Sequence, residues 1–95
     1  MSNIGKILDE LYEVVTDRID NPKEGSYTNY LLDKGVDKIA KKVGEEAVEV
    51  VIAAKNGRKT EMLAEVSDLL YHLTVLLVQQ GISYDEIYEE LKTRR

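Results

Sequence analysis

The sequence has no cysteine, no phenylalanine and no tryptophan, and it contains a single proline and a single histidine. Without cysteine, disulfides, thiolate metal sites and cysteine nucleophiles are excluded. A site built from several imidazoles is excluded as well, because His72 is the one histidine. Six tyrosines supply all the aromatic bulk. A core of Leu, Ile, Val and Ala favours packed helices over a sheet.

The chain also lacks an excess of positive charge and any long apolar run. Its formal net charge of −5 argues against a nucleic-acid backbone as a partner. The longest apolar run, from Leu69 to Val78, is too short to cross a bilayer, and the first residues do not form a signal-peptide pattern. We expect a cytoplasmic protein without nucleic-acid or membrane partners, folded as a single domain over residues 1–95.

Apolar residues recur at helical spacing in five segments, and no segment alternates as a strand does. Ser83 and Glu86 have the spacing of a capping box, and the helix that they open is expected to bury Tyr84, Ile87 and Leu91. The pattern predicts an all-α helical bundle built on a long antiparallel hairpin. The predicted helices run from about Asn3 to Ile19, from Ser26 to Gly35, from Val36 to Lys55, from Lys59 to Gln80, and onward from Ser83.

The third segment carries apolar residues on two faces. Val48 and Ile52 lie roughly opposite its main stripe. A helix that is apolar on two sides is buried on two sides, and a domain of 95 residues has little else to cover the second face. We therefore expect a homo-oligomer, at least a dimer. The main stripe consists of Val36, Ile39, Ala40, Val43, Ala47, Val50, Val51 and Ala54.

Four acids occupy matching positions in the predicted hairpin. Glu46 and Glu49 are three residues apart on the third segment, and Glu65 and Asp68 are three apart on the fourth, so each pair shares a helix surface. The sequence has five acidic pairs at this spacing, where chance predicts about three, so spacing alone is weak evidence. Register is stronger evidence, because a turn centred on Gly57 places the two pairs at the same level.

Four carboxylates so close together raise one another's pKa unless cations neutralise them. An all-oxygen site of this kind suits Mg²⁺, with Mn²⁺ as a substitute. A helical bundle whose acidic faces happen to align stays open as an alternative when only spacing is considered. A di-iron bundle is excluded, because it needs Glu-x-x-His on two helices and Asp68 stands three residues after Glu65.

Several lysines precede the acids on the third segment. Lys42 continues the acidic ridge and can meet phosphate oxygens beyond the metal, although ordinary pairing such as Lys41 with Glu45 also explains lysines at these positions. The predicted register places Lys42 opposite His72. A lone histidine on a helix is expected to be a hydrogen-bonded structural residue. Ser26 is explained as a helix cap.

The acids also fall within longer motifs. Glu45-Glu46-x-x-Glu49, followed after a spacer by Glu65-x-x-Asp68, resembles the metal motif of the all-α, MazG-like nucleotide pyrophosphohydrolases. Within that superfamily, the chain resembles the phosphoribosyl-ATP pyrophosphohydrolases of histidine biosynthesis over nearly its whole length. Ser67 departs from the alanine expected before the aspartate and leaves the ligands untouched. The narrower resemblance rests on Ser26-Tyr27-Thr28, Leu31-Leu32, Gly35, Lys38-Ile39, the run from Lys41 to Ala47, and Asp68-Leu69-Leu70-Tyr71-His72.

This resemblance implies hydrolysis of phosphoribosyl-ATP to phosphoribosyl-AMP and pyrophosphate by metal-activated water. It implies Glu46, Glu49, Glu65 and Asp68 as metal ligands, and Glu45 is the candidate for positioning water. Two alternatives stay open, a house-cleaning nucleoside triphosphate pyrophosphohydrolase and a non-enzymatic helical interaction module. The candidates for substrate binding are Ser26, Thr28, Lys38, Lys41, Lys42 and Arg58.

Overall fold

The structure, a computed structural model, describes all 95 residues and contains five α-helices and no strand. The helices agree with the five predicted segments to within the usual uncertainty of helix ends, so the all-α prediction is confirmed. None of them is long and apolar enough to cross a membrane. The helices are α1 (Ile4–Asp20), α2 (Tyr27–Lys34), α3 (Val36–Asn56), α4 (Lys59–Gln80) and α5 (Tyr84–Lys92).

Capping side chains and glycines explain where the helices begin and end. Ser26 caps α2 by accepting a hydrogen bond from the Asn29 N–H. Ser83 and Glu86 form the predicted capping box at the start of α5. Gly57 ends α3 with a φ of 65°, a left-handed conformation that costs glycine little. Only two residues separate α3 from α4, so these helices fold back on each other as an antiparallel hairpin.

The core lies between α1, α2 and the part of the hairpin farthest from its turn. Its fully buried side chains include Val15 of α1, Leu31 of α2, Ile39 of α3 and Val75 of α4. The helices α3 and α4 pack most extensively on each other, whereas α5 packs only marginally on the rest. The acidic positions of α3 and α4 therefore lie where the hairpin extends away from the core.

Two predictions about burial are wrong for the single chain. Leu91 is 60% exposed, because α5 packs so little on the other helices, although Tyr84 and Ile87 are half-buried. In α3, five residues of the predicted stripe are exposed, and Ala53, which lies outside the stripe, is buried. The exposed five are Val36, Ala40, Ala47, Val51 and Ala54. Only α2 and α4 pack extensively against α3, and they cover less of its surface than the apolar stripe occupies.

Replacing Leu31 with alanine should lower the free energy of unfolding by about 2–5 kcal/mol, because removing a fully buried side chain leaves a cavity. Leu91→Ala is the matched control, since the same atoms leave an exposed site, and it should change stability by about 0.5 kcal/mol or less. Urea unfolding followed by far-UV circular dichroism measures both. Similar losses in the two variants would contradict the placement of the core at Leu31.

Candidate metal centre

Three carboxylates from the facing helices of the hairpin come together. Oxygen atoms of Glu46 on α3 and of Glu65 and Asp68 on α4 all lie within 4.8 Å of one another. Glu46 and Glu65 are half-buried, and Asp68 is exposed. The antiparallel register therefore does bring acids of both helices into one cluster.

These carboxylates line an open cleft of about 570 Å³. Glu49, the fourth predicted ligand, also lines the cleft, but it is exposed and lies outside the group of three. Every polar atom offered by the side chains of the wall is an oxygen, apart from the Lys42 ammonium, and such a donor set fits a hard divalent cation. The wall is formed by Lys42, Glu45, Glu46, Val48, Glu49, Glu65 and Asp68.

The concentration of negative charge acts on the pKa of Glu65. Burial raises this pKa above its ordinary value, and the carboxylates of Glu46, Glu49 and Asp68 raise it further, because each of them disfavours another negative charge nearby. Glu49 thus influences the cluster electrostatically although it lies outside the three-carboxylate group. The carboxylates repel one another as long as no cation lies between them.

Lys42 is the one cation in the wall of the cleft. Its Nζ lies 3.6 Å from a carboxylate oxygen of Glu45 and 3.6 Å from one of Glu46. Burial lowers the pKa of Lys42, but the Tyr27 hydroxyl and the two carboxylates outweigh burial and raise the pKa above its ordinary value. The side chain is therefore charged at neutral pH. One ammonium does not balance the five carboxylates of the wall, so the cleft has an excess of negative charge.

His72 lies one turn beyond Asp68 on α4 and is only 5% exposed. Its Nδ1 lies 2.8 Å from the Asp68 carbonyl oxygen, and its Nε2 lies 2.9 Å from the Tyr27 hydroxyl. Because a carbonyl only accepts, the Nδ1–H donates to it, and Nε2 forms its hydrogen bond with the tyrosine hydroxyl. Both ring nitrogens are occupied, so the histidine is hydrogen-bonded as predicted.

Nothing in the acidic or basic pattern points to the tyrosines that surround His72. Tyr27 of α2 lies beside both Lys42 and His72, which the register prediction had placed opposite each other. The ring of Tyr27 stacks with those of Tyr30 and Tyr71, at centroid distances of 6.0 and 6.1 Å. Two signals in the sequence point to them: Tyr27 and Tyr30 share a helix face because they are three residues apart, and the motifs that carry the family resemblance include Tyr27 and Tyr71.

Most of the predicted substrate-binding residues lie outside the wall of the cleft. The Ser26 hydroxyl caps α2, and the Thr28 hydroxyl is hydrogen-bonded to the Tyr71 hydroxyl. Arg58 forms an ion pair of 2.9 Å with Glu61 at the hairpin turn. The structure brings Lys42 and Glu45 to the carboxylates, and it places Ser26, Thr28, Lys38, Lys41 and Arg58 outside the wall.

Glu65→Gln should raise the melting temperature in EDTA at neutral pH. The pKa of Glu65 is raised in the folded state, so the stability that this group contributes is present at low pH and is lost as the pH rises through the raised pKa. Glutamine does not titrate, so the advantage of the variant should shrink as the pH falls toward about 4, near the ordinary glutamate pKa. Differential scanning calorimetry over this pH range measures the difference.

The control for this experiment is Glu13→Gln, which removes an exposed acid of α1. It should show no such pH-dependent gain. Added Mg²⁺ should raise the melting temperature of the parent and of Glu13→Gln more than that of Glu65→Gln, since cation binding stabilises the folded state. A lower melting temperature for Glu65→Gln than for the parent in EDTA at neutral pH would count against carboxylate repulsion in the cleft.

Comparison with known proteins identifies a family that this chain matches. Residues 8–95 match the family described as phosphoribosyl-ATP pyrophosphohydrolase. The chain is 64% identical over 88 residues to the phosphoribosyl-ATP pyrophosphatase of Listeria monocytogenes, a match covering 93% of this chain and 84% of that protein. It is 53% identical over 95 residues to the phosphoribosyl-ATP pyrophosphatase of Clostridium novyi, covering 100% of this chain and 86% of that protein.

Some relatives are longer proteins. The chain is 64% identical over 85 residues to the histidine biosynthesis bifunctional protein HisIE of Thermoanaerobacter pseudethanolicus, a match covering 90% of this chain and 39% of that protein. It therefore spans about two fifths of the length of this bifunctional relative. Since the family match covers residues 8–95 and the identities to these relatives exceed one half, the chain belongs to the phosphoribosyl-ATP pyrophosphohydrolase family.

Proposed function

We propose that this chain hydrolyses phosphoribosyl-ATP to phosphoribosyl-AMP and pyrophosphate, a step of histidine biosynthesis, with Mg²⁺ as its metal and Mn²⁺ as a possible substitute. Family membership supports the reaction. The observation that carries the proposal is the convergence of Glu46, Glu65 and Asp68 within 4.8 Å. It places an all-oxygen donor set beside an open cleft, where waters and phosphate oxygens can complete the octahedron that Mg²⁺ requires.

The carboxylates and Lys42 have separate roles in this proposal. Glu46, Glu65 and Asp68 would hold the cation, and Glu49 at the edge of the cleft would join them directly or through water. When bound, Mg²⁺ neutralises charge on the phosphates and lowers the pKa of water. Lys42 donates a charge-assisted hydrogen bond to a phosphate oxygen and opposes the charge that develops on the leaving pyrophosphate.

Glu45 is the residue proposed to position water. Its side chain is 51% exposed and forms an ion pair with Lys42. As the water oxygen bonds to phosphorus, the bond between the α and β phosphates breaks, pyrophosphate leaves, and Glu45 accepts the proton of the water. The wall of the cleft offers no hydroxyl, thiol or imidazole as a nucleophile, which supports direct attack by water.

The substrate assignment is tested by pyrophosphate release with Mg²⁺ from phosphoribosyl-ATP, ATP, dCTP and dUTP side by side. Phosphoribosyl-ATP should have the highest kcat/KM, because its additional phosphate offers a charge-assisted contact that ATP lacks. If dCTP or dUTP is cleaved best, the chain is a house-cleaning pyrophosphohydrolase. If none of these nucleotides is cleaved with Mg²⁺ or Mn²⁺, the proposal fails and the chain is better explained as a non-enzymatic helical interaction module.

The metal site is tested in the same assay with Asp68→Asn and Glu49→Gln. Both should reduce hydrolysis to the background rate, because each removes a carboxylate of the cleft, while far-UV circular dichroism stays unchanged. Lys42→Ala should narrow the preference for phosphoribosyl-ATP over ATP, and Lys41→Ala is its control, since Lys41 is exposed outside the wall. Turnover at the parent rate in either carboxylate variant would overturn the assignment of that residue.

We further propose that the protein acts as a homo-oligomer, at least a dimer. Its surface of 6917 Å² exceeds the ~5,500 Å² expected of a compact monomer of this mass. Near the hairpin turn, Val48, Val51, Ile52 and Leu63 are between 46% and 62% exposed. An apolar surface on the two longest helices is of the kind that a second copy covers.

Sedimentation at micromolar concentration should give at least twice the chain mass of 10.8 kDa. Ile52→Lys should shift the population toward monomer, because it places a charge on the apolar surface of α3. Leu91→Lys is the control, since it changes an equally apolar, exposed residue of α5. A parent protein found only as a 10.8 kDa species would contradict the proposal.

A further inference from the structure

Three of the six tyrosines form a row beside the carboxylate cleft. We call Tyr27, Tyr30 and Tyr71 the tyrosine row. The ring planes of Tyr30 and Tyr71 are inclined by only 21° and 25° to that of Tyr27, so the rings are nearly parallel. Tyr27 and Tyr30 are 46% and 43% exposed. Because Tyr27 is stacked between Tyr30 and Tyr71, the aromatic face of the row that is left for a ligand is the outer face of Tyr30.

Hydrogen bonds hold the tyrosine row in place relative to the carboxylates. The Tyr27 hydroxyl is bonded to the buried His72 ring, whose other nitrogen is bonded to the Asp68 carbonyl. The Tyr71 hydroxyl is bonded to Thr28. The rings of Tyr27 and Tyr71 also contact the His72 ring edge-on, at centroid distances of 5.7 and 5.0 Å. A ligand resting on the row therefore lies at a defined distance from Asp68.

Two lysines lie beside the Tyr30 end of the row. The Nζ atoms of Lys34 and Lys38 are 5.7 and 5.9 Å from the centre of the Tyr30 ring. Neither lysine forms an ion pair with a carboxylate, so both ammonium groups are free to bind an anion. Lys38 precedes Lys42 by one turn of α3, and Lys42 precedes Glu46 by one turn. The span from Lys38 to Glu46 is about 12 Å along the helix axis.

We propose that the adenine of the substrate stacks on Tyr30 at the end of the tyrosine row, in place of the ammonium groups that lie over this ring, and that Lys34 and Lys38 bind the phosphate on its additional ribose. The inference rests on the proposed function. Phosphoribosyl-ATP carries, in order, a triphosphate, a ribose, adenine, a second ribose and a phosphate. The structure presents, in the same order, the carboxylates with Lys42, the tyrosine row, and the two free lysines. Tyrosine faces stack on bases, and ammonium groups bind phosphate through charge-assisted hydrogen bonds.

No second place in the molecule combines stacked tyrosines with three carboxylates whose oxygens lie within 4.8 Å of one another. The remaining tyrosines are Tyr12 on α1 and Tyr84 and Tyr88 on α5. The Tyr12 hydroxyl donates to the Ile82 carbonyl, beyond the end of α4. Tyr88 has a lysine, Lys92, 5.4 Å from its ring centre, but the one three-carboxylate group lies on α3 and α4. Tyr88 is thus an internal control, an exposed tyrosine with a lysine over its ring.

The first arm of the test compares KM and kcat for phosphoribosyl-ATP. Tyr30→Ala should raise KM about tenfold or more, because a stacking surface is lost, and kcat should stay within about twofold, because the carboxylates and Lys42 are intact. Tyr30→Phe keeps the ring and should retain the parent KM. Tyr88→Ala should leave KM unchanged. Far-UV circular dichroism confirms that each variant keeps its helices.

The second arm separates the base from the outer phosphate. Lys34→Ala with Lys38→Ala should raise KM for phosphoribosyl-ATP and leave KM for ATP unchanged, since ATP has no second phosphate. Tyr30→Ala should raise both KM values. Inorganic triphosphate with Mg²⁺ has no base, so its inhibition constant should be the same in all these variants. Inhibition that weakens in Tyr30→Ala as much as substrate binding does would show a general disturbance of the site and overturn the inference.

Tyrosine fluorescence tests the stacking through binding rather than through the rate of hydrolysis, and no tryptophan obscures it. Mg²⁺-ATP should quench the emission of the parent and of Tyr30→Phe at the same concentrations, and Tyr30→Ala should need about tenfold more. Parent-like quenching and KM in Tyr30→Ala would overturn the role of the row. Failure of the proposed function would be a different result, a parent protein that releases no pyrophosphate from phosphoribosyl-ATP.

Discussion

The antiparallel packing of α3 on α4 sets the positions of all the carboxylates in the cleft. Two residues join these helices, and Gly57 supplies the left-handed conformation that such a short turn needs. A slip of one helical turn would displace Glu46 by about 5 Å along its helix. That displacement would separate it from Glu65 and Asp68, whose oxygens now lie within 4.8 Å of its own. The turn is therefore as important to the site as the acids themselves.

The same packing creates a local electrostatic cost. Glu65 has a raised pKa because it is half-buried among other carboxylates, and Lys42 is the one cation in the wall of the cleft. The repulsion is tolerated because the acids lie beside the core rather than within it, near the end of the hairpin that few other helices cover. A cation bound there would convert a destabilising cluster into a stabilising one.

The short helix α2 connects the core with the cleft. Leu31 of this helix is fully buried, while Tyr27 and Tyr30 remain partly exposed beside α3 and α4. The hydrogen bond from Tyr27 to His72 joins α2 to α4 one turn beyond Asp68. A helix of eight residues is too short to be stable alone. Its position is stabilised by the Ser26 cap, the burial of Leu31 and this tyrosine–histidine contact.

The sequence by itself determined the five helices and the facing of the acidic pairs. Helices follow from local periodicity and from capping residues such as Ser83, and the register follows from a turn of only two residues at Gly57. Local patterns carry this information because each depends on residues a few positions apart. The same patterns also predicted a buried Leu91, which the marginal packing of α5 leaves exposed.

Only the tertiary structure decided which acids meet and what lies beside them. Glu49 shares a helix face with Glu46, yet its oxygens fall outside the 4.8 Å group, because that outcome depends on helix tilt and side-chain direction rather than on spacing. Tyr27 lies between Lys42 and His72 although 45 positions separate it from the histidine. Contacts between distant segments arise from the packing of whole helices, and no local pattern contains them.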